Sequence, residues 1–406
     1  MVVKTTRAQW EGFSTHPTAE SLSAQAIHDM FVDVGGLEEF WVRWYVDRFV
    51  NRGYGKVKFV VGKPGAGKTH WLKHFSQTAV FKNYLAVAID ARKERLATID
   101  EVYRAFSSQL LWRDLVEGAA LQVIHQQLGY PEFTGRGWEF LKWAESERGL
   151  EPSLARRDIR EAVDGWLRGL DLDSHFMLVV RGWLNQLLSG DAEEPSDHLE
   201  WLIGGKIGAA IRRSMGLIGN ISQRNARAVL ASTAIFIHAI GYGGLVITID
   251  NLEVLTSSTR VEGIPYYTRG KREQAYEMIR QLIDEGPRMP FVFLVVAGDA
   301  PGLGEAKRGF PSYPALWARI QNEVTTTRVN RFSDWIDLDR LWDQDREQQS
   351  QLATVWEKGP VELSLPPIPP NMVGGVGLES GVTRRIVASI LTKMIRSESD
   401  SEGYSL

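Results

Sequence analysis

One segment, residues 62–69, constrains the fold of this 406-residue chain more than any other feature. It reads Gly-Lys-Pro-Gly-Ala-Gly-Lys-Thr and fits the pattern G-x-x-x-x-G-K-[ST] of a phosphate-binding loop. Glycines let successive backbone N–H groups turn inward around phosphate oxygens. Lys68 reaches the β- and γ-phosphates, and the Thr69 hydroxyl ligates Mg²⁺. The segment therefore predicts that the chain binds ATP or GTP with magnesium.

The residues on either side predict how this loop is held. Residues 57–61 form a β-branched and aromatic run that is typical of a strand, and residues 71–75 open a helix. A helix that begins directly after the loop points its N-terminus at the phosphates. The nucleotide-binding residues predicted here are Gly62, Lys63, Pro64, Gly65, Ala66, Gly67, Lys68, Thr69 and His70.

An acid follows a second buried strand. Residues 245–249 are a continuous apolar run, as expected of a central parallel strand covered on both faces, and Asp250 comes next. Because the carboxyl ends of parallel strands share one sheet edge, this carboxylate is expected beside the magnesium ion. Thr69 and Asp250 are therefore the predicted metal-side residues.

Other segments complete a predicted α/β sheet. Residues 85–89 and 291–296 are further apolar strands, and about 99–240 is a long helical insertion. The second of these strands leads to Asp299. An acid beside a phosphate is repelled unless a cation intervenes, so Asp299 either senses the γ-phosphate or caps the next turn.

Composition limits the partners of the chain. A net charge of −3 gives no global attraction for nucleic acid, so any DNA contact must come from local patches. The absence of cysteine excludes disulfides and thiolate metal sites and favours a cytoplasmic protein. Candidate phosphate-backbone contacts, which a solvated helix face explains equally well, are Arg156, Arg157, Arg160, Arg212 and Arg213.

One uncharged stretch imitates a membrane span. It lies between Arg227 and Asp250 and would respond in a hydropathy window. The sequence Gly-Tyr-Gly-Gly at 241–244 is a turn signal that would break a spanning helix. We therefore predict a buried helix over 226–240 followed by a buried strand, and no membrane partner.

Together these motifs resemble a known family. The chain is similar to the P-loop ATP-binding proteins of bacterial BREX-type phage-defence loci, the BrxD-like family, which is related to origin-recognition AAA+ ATPases. The order and spacing of the segments are more specific than any single motif. The segments that carry the resemblance are 61–69, 198–204, 241–253, 297–299 and 309–319.

The resemblance implies an ASCE-type, AAA+-like P-loop NTPase core with a helical insertion and a small C-terminal helical lid. It also implies that Arg319 is an arginine finger presented to a neighbour's ATP, and that Arg384 in the lid contacts the nucleotide. A finger requires a homo-oligomer or hetero-complex. The expected divisions are an N-terminal helical segment 1–54, a core 55–330, a lid 331–397 and a polar tail 398–406.

The chain departs from the family pattern where hydrolysis would occur. The family usually shows Asp-Glu-x-Glu, whereas this chain has Asp250, Asn251, Leu252 and Glu253. An amide orients water but cannot accept its proton. If the strand stays extended, residues 251 and 253 point the same way about 7 Å apart. Glu253 then either serves as a shifted catalytic base or pairs with a neighbouring cation.

Three functions follow from these observations. The first is an ATPase that acts with defence-system partners, such as a helicase or nuclease, on DNA. The second, which Asn251 favours, is a scaffold that binds ATP and hydrolyses little. The third is an AAA+ regulator of replication or transposition. It would need a DNA-binding module outside the core, for which the C-terminal region gives little sign.

Overall fold

Five parallel strands form the centre of the protein in this computed structural model, which describes residues 24–29, 31, 33–325 and 329–344. The spatial order is β2-β3-β4-β1-β5, and every neighbouring pair is parallel. The predicted α/β, P-loop NTPase-like fold is therefore confirmed. The strands are β1 Lys56–Gly62, β2 Leu85–Asp90, β3 Leu245–Asp250, β4 Val292–Asp299 and β5 Trp335–Asp337.

Helices surround the sheet. Before β3 they are α1 Ala24–Asp29, α2 Leu37–Trp41, α3 Lys68–Phe81, α4 Ile99–Ser107, α5 Trp112–Gln122, α6 Phe140–Arg148, α7 Pro152–Arg168, α8 Ser174–Leu188, α9 Ser196–Leu202, α10 Ala209–Ser214 and α11 Ala226–Ala239. After β3 they are α12 Arg269–Glu285, α13 Ala300–Leu303, α14 Pro314–Thr325 and α15 Leu338–Gln344. The segment between β2 and β3 is thus helical, as the sequence predicts.

The uncharged stretch before Asp250 folds as expected. It forms the buried helix α11, a turn at 241–244 and the buried strand β3. Among the described residues, no helix combines the length and the apolar character needed to span a membrane.

The sheet extends beyond residue 330. Strand β5 pairs with β1, with Phe59 opposite Trp335 and Val61 opposite Asp337. The first residues of the expected lid therefore belong to the sheet, because an apolar Trp-Ile pair completes its edge. The division into domains otherwise stays a prediction. The rest of the lid, with Arg384, and the polar tail lie outside the described residues.

Acidic residues collect at one edge of the sheet. Strands β2, β3, β4 and β5 each end in aspartate, and β1 ends at Gly62, where the phosphate-binding loop begins. Asp90 lies opposite Asp250, and Gly62 lies opposite Asp299. The parallel arrangement therefore brings the loop and these carboxylates to the same edge.

An aromatic cluster joins the N-terminal segment to the loop helix α3. Trp41 is fully buried, and its ring meets Trp71 and Phe75 edge-on at centroid distances of 5.1 and 6.3 Å. Its Nε1 donates to the Arg331 carbonyl at 3.0 Å. This one side chain therefore links α2, α3 and the segment before β5.

Replacing this indole should destabilise the protein strongly. Trp41→Ala removes buried area and leaves a cavity, so we expect the free energy of unfolding to fall by about 3–5 kcal/mol. The control is Trp44→Ala, because Trp44 is 37% exposed on the same segment. Urea denaturation measures the free energy of unfolding of both variants. An equally small decrease in the two variants would contradict this role for Trp41.

Candidate functional site

The loop between β1 and α3 has the backbone that a phosphate cradle needs. Gly65 and Gly67 take φ values of +85° and +88°, a region that glycine enters without strain. A Cβ added at Gly62 would lie 2.7 Å from the Ala66 Cβ, so this close approach also requires glycine. Lys63, Pro64 and Gly65 form the exposed crest of the loop.

Lys68 lies along the inside of this loop. Its Nζ donates to the Gly62 and Lys63 carbonyls, both at 3.0 Å. The ammonium is therefore positioned by the loop backbone, at the start of α3.

A residue that sequence analysis missed holds the other side of the loop. The Asp339 Oδ2 accepts the Lys63 backbone N–H at 2.7 Å. Asp339 lies in the first turn of α15, directly after β5. The two partners are 276 positions apart, so only the pairing of β5 with β1 brings them together.

The two predicted metal-side residues meet. The Thr69 Oγ1 donates to the Asp250 Oδ2 at 2.5 Å, across 181 positions of sequence. Burial raises the pKa of the Asp250 carboxyl, although the Thr69 hydrogen bond and the Lys68 charge oppose that shift. The Thr69 hydroxyl and the Asp250 carboxylate are in contact, and both supply hard oxygen donors of the kind that Mg²⁺ prefers.

The strand does not stay extended after Asp250, so the condition under which residues 251 and 253 would point the same way is not met. Asn251 has φ +60° and ψ +36°, and Leu252–Thr256 forms a 3-10 helix. The left-handed residue turns the chain away from the strand axis, and the relation between residues 251 and 253 changes accordingly. Asn251 then donates from Nδ2 to the Asp90 Oδ1 at 2.8 Å.

Asp90 is a second residue that sequence analysis missed. Burial raises the pKa of its carboxyl, but hydrogen bonds from the Arg92 backbone and side chain and from Asn251 outweigh burial and hold the pKa below its usual range. The signal was present as an acid at the end of a strand, but its place beside Asn251 depends on the register of β2 with β3.

Glu253 still reaches the carboxyl edge of the sheet. Its Oε2 accepts the Asp299 backbone N–H at 3.0 Å, at the end of β4. Among the described residues, Glu253 does not form the ion pair with a neighbouring cation that was the alternative. Burial raises the pKa of the Glu253 carboxyl above its ordinary value of 4.5, and the Asp250 charge adds to this, while the Lys68 charge opposes it.

The Asp299 carboxylate caps the following turn. Its Oδ2 accepts the Gly302 N–H at 3.2 Å and so begins the short helix α13. Of the two alternatives left open by the sequence, this one matches the observed contact.

Two other predicted residues face away from these groups. The Arg319 Nε and Nη2 donate to the two carboxylate oxygens of Asp284 on α12, both at 3.1 Å. The His70 Nε2 lies 2.9 Å from the Ile27 carbonyl, so its side chain packs on the N-terminal segment. Arg384 lies outside the described residues.

Comparison with known proteins assigns the family. A family model described as BREX system ATP-binding protein BrxC/D matches residues 45–355, most of the chain. The chain belongs to the BrxC/D family. No curated protein and no solved structure matches it.

Membership of the BrxC/D family gives the coarse function. This BrxC/D-family chain is an ATP-binding protein with a role in phage defence, and it works beside other components of a BREX system. The matched range contains the loop, Asp250, Asn251, Glu253 and Arg319.

Proposed function

We propose that this protein is an AAA+-like, magnesium-dependent ATPase of the BREX system, with Glu253 as the catalytic base. The observation that carries the proposal is the half-buried Glu253 carboxylate, which accepts a backbone N–H at the end of β4 and so lies at the sheet edge. The Lys68 charge lowers the pKa of the Glu253 carboxyl and the Asp250 charge raises it, so the three groups share one electrostatic environment. The position of β4 between β1 and β3 supports the AAA+-like assignment.

The ATP phosphates would be held by the loop. Inward backbone N–H groups at 62–69 cradle them, and Lys68 exchanges its carbonyl partners for β- and γ-phosphate oxygens. The fit to Mg²⁺ rests on the 2.5 Å contact between Thr69 and Asp250, which concentrates oxygen donors beside the loop. Bound magnesium would neutralise the charge that develops on the phosphates.

Glu253 would activate the attacking water. The Glu253 carboxylate takes a proton from the water while the water oxygen forms a bond to the γ-phosphorus. The bond between that phosphorus and the oxygen that bridges it to the β-phosphate breaks, and ADP is released. A pKa raised by burial makes the carboxylate a stronger base than an exposed glutamate. Asn251, held by Asp90, would orient the water without taking its proton.

This role predicts the pH dependence of turnover. Glu253 must be ionised to accept a proton, so hydrolysis is lost as pH falls through its pKa. Because that pKa is raised, the acid limb of kcat/KM should lie above 4.5, the ordinary value for glutamate. A steady-state phosphate-release assay across pH tests the proposal. An acid limb at or below the ordinary value would contradict it.

A second candidate is an ATP-held scaffold with little turnover. The observation that favours it is that Asn251 stands where the family usually has glutamate, and its amide is engaged by Asp90. In this alternative, ATP binding alone orders the protein for its BREX partners.

The predicted assembly on DNA is also part of the proposal. Arg319 would act as a finger only after leaving Asp284, because both carboxylate oxygens now accept its guanidinium. A neighbouring subunit's ATP, with several negative charges, would compete with that single carboxylate. The homo-oligomer or hetero-complex, the action on DNA and the cytoplasmic location remain predictions.

A further inference from the structure

Positive charge without acid in the same stretch of sequence distinguishes one segment of the insertion. Between Glu200 and Asp250 the chain contains no aspartate or glutamate, although its net charge is −3. The cations of this stretch are Lys206, Arg212, Arg213, Arg224 and Arg227. The first four lie within residues 204–225, which we name the basic loop and which contain the short helix α10.

The basic loop is anchored to the protein. The Trp201 Nε1, on α9, donates to the Gly219 carbonyl of the loop at 3.2 Å. Within the loop itself, the Asn220 Oδ1 accepts the Ile207 N–H at 3.3 Å. Ile207, Leu217 and Ile221 are buried in the core of the insertion. The loop therefore presents its charges from a packed base.

Three of its cations are available to a partner. Lys206, Arg213 and Arg224 are exposed, and within the described ranges none of them forms an ion pair. Arg212 donates to the Ile207 carbonyl at 2.9 Å. Arg157 on α7 differs, since it pairs with Asp158 and Glu161.

The same loop contains an exposed apolar side chain. Ile218 is 88% exposed, in the part of the loop that follows α10. Proteins that grip duplex DNA combine cations on the phosphates with apolar side chains that wedge against base steps. A polyanion fits these cations because the segment that contains them has no aspartate or glutamate.

We propose that the basic loop is a binding surface for duplex DNA, with Lys206, Arg213 and Arg224 on phosphates and Ile218 in a groove. This extends the proposed action on DNA by naming its surface, but it does not depend on ATP hydrolysis. The cations contact the sugar–phosphate backbone, and the apolar side chain forms no hydrogen bond to a base edge, so the binding needs no particular base sequence.

The test compares a charge-removing variant and an apolar-residue variant of the basic loop, both in the full chain with Mg·ATP. Lys206→Gln with Arg213→Gln and Arg224→Gln should weaken binding of a 30-base-pair duplex roughly 10- to 100-fold and reduce the salt slope of log K by about 2 to 3. Ile218→Ser should weaken binding with the slope unchanged. Fluorescence anisotropy over a salt series measures both.

The control removes charge from the other candidate surface. Arg156→Gln with Arg160→Gln on α7 should leave duplex affinity and slope unchanged. ATP-dependent thermal stabilisation should survive in every variant, so a failure of this surface is separable from a failure of the ATP site. Wild-type affinity in the basic-loop variant, loss confined to the α7 variant, or no duplex binding by the wild type would each overturn the proposal. Tighter binding of RNA than of duplex DNA would also overturn it.

Discussion

Lys68→Ala should abolish the stabilisation that Mg·ATP gives to this protein. The ammonium is the cation that the loop backbone positions at the start of α3. Its loss should weaken ATP binding about 100-fold, which is about 2.7 kcal/mol and lies within the range of about 2–5 kcal/mol for removing one partner of a buried charge pair. At 100 times the wild-type Kd, ligand stabilises the wild type by about 2.7 kcal/mol, and a 100-fold weaker variant by about 0.4 kcal/mol.

The matched control is a lysine of the same loop. Lys63→Ala removes a side chain on the exposed crest, while the backbone N–H that Asp339 accepts remains. We expect its ATP-dependent shift in Tm to stay close to that of the wild type. Equal shifts in Lys68→Ala and the wild type would place the ATP site elsewhere.

Glu253→Gln should stop turnover while leaving ATP binding intact. The amide keeps an oxygen that can accept the Asp299 N–H, so the local fold is retained. It cannot take a proton from water, and loss of a general base lowers kcat by roughly 10²- to 10⁴-fold. Phosphate release and ATP-dependent stabilisation, measured on the same preparation, separate the two effects.

An exposed glutamate provides the control for this change. Glu262→Gln makes the same substitution in the exposed segment that follows the 3-10 helix, and it should leave kcat unchanged. If Glu253→Gln turned over ATP at the wild-type rate, Glu253 would be a structural group that holds the end of β4.

The loop was predictable because its chemistry is local. Eight consecutive residues contain the glycines, the lysine and the threonine, and the flanking strand and helix follow from nearby patterns. Asp250 was also predictable, since an acid at the end of an apolar strand must lie at the same edge as the loop. Its contact with Thr69 follows from that shared edge, together with the position of β3 one strand away from β1.

The surroundings of the proposed catalytic groups were not predictable in the same way. The left-handed Asn251 redirects the chain. Asparagine enters this region more readily than most residues, but most asparagines do not, so its presence alone does not predict the turn. The contact between Asn251 and Asp90 depends on strand order and register, and that between Lys63 and Asp339 depends on a fifth strand. Arg319 has a partner in Asp284 because α12 and α14 pack together, which the spacing of neither helix reveals.

Hydrolysis of pre-bound Mg·ATP by the wild type, in a single turnover, tests the central claim most directly. If Glu253 is the catalytic base, the wild type should convert the bound ATP to ADP and phosphate, whereas Glu253→Gln should keep its bound ATP intact. Wild-type protein that binds ATP tightly but leaves it intact, while Asn251→Glu hydrolyses it, would contradict the claim. The protein would then be an ATP-held scaffold.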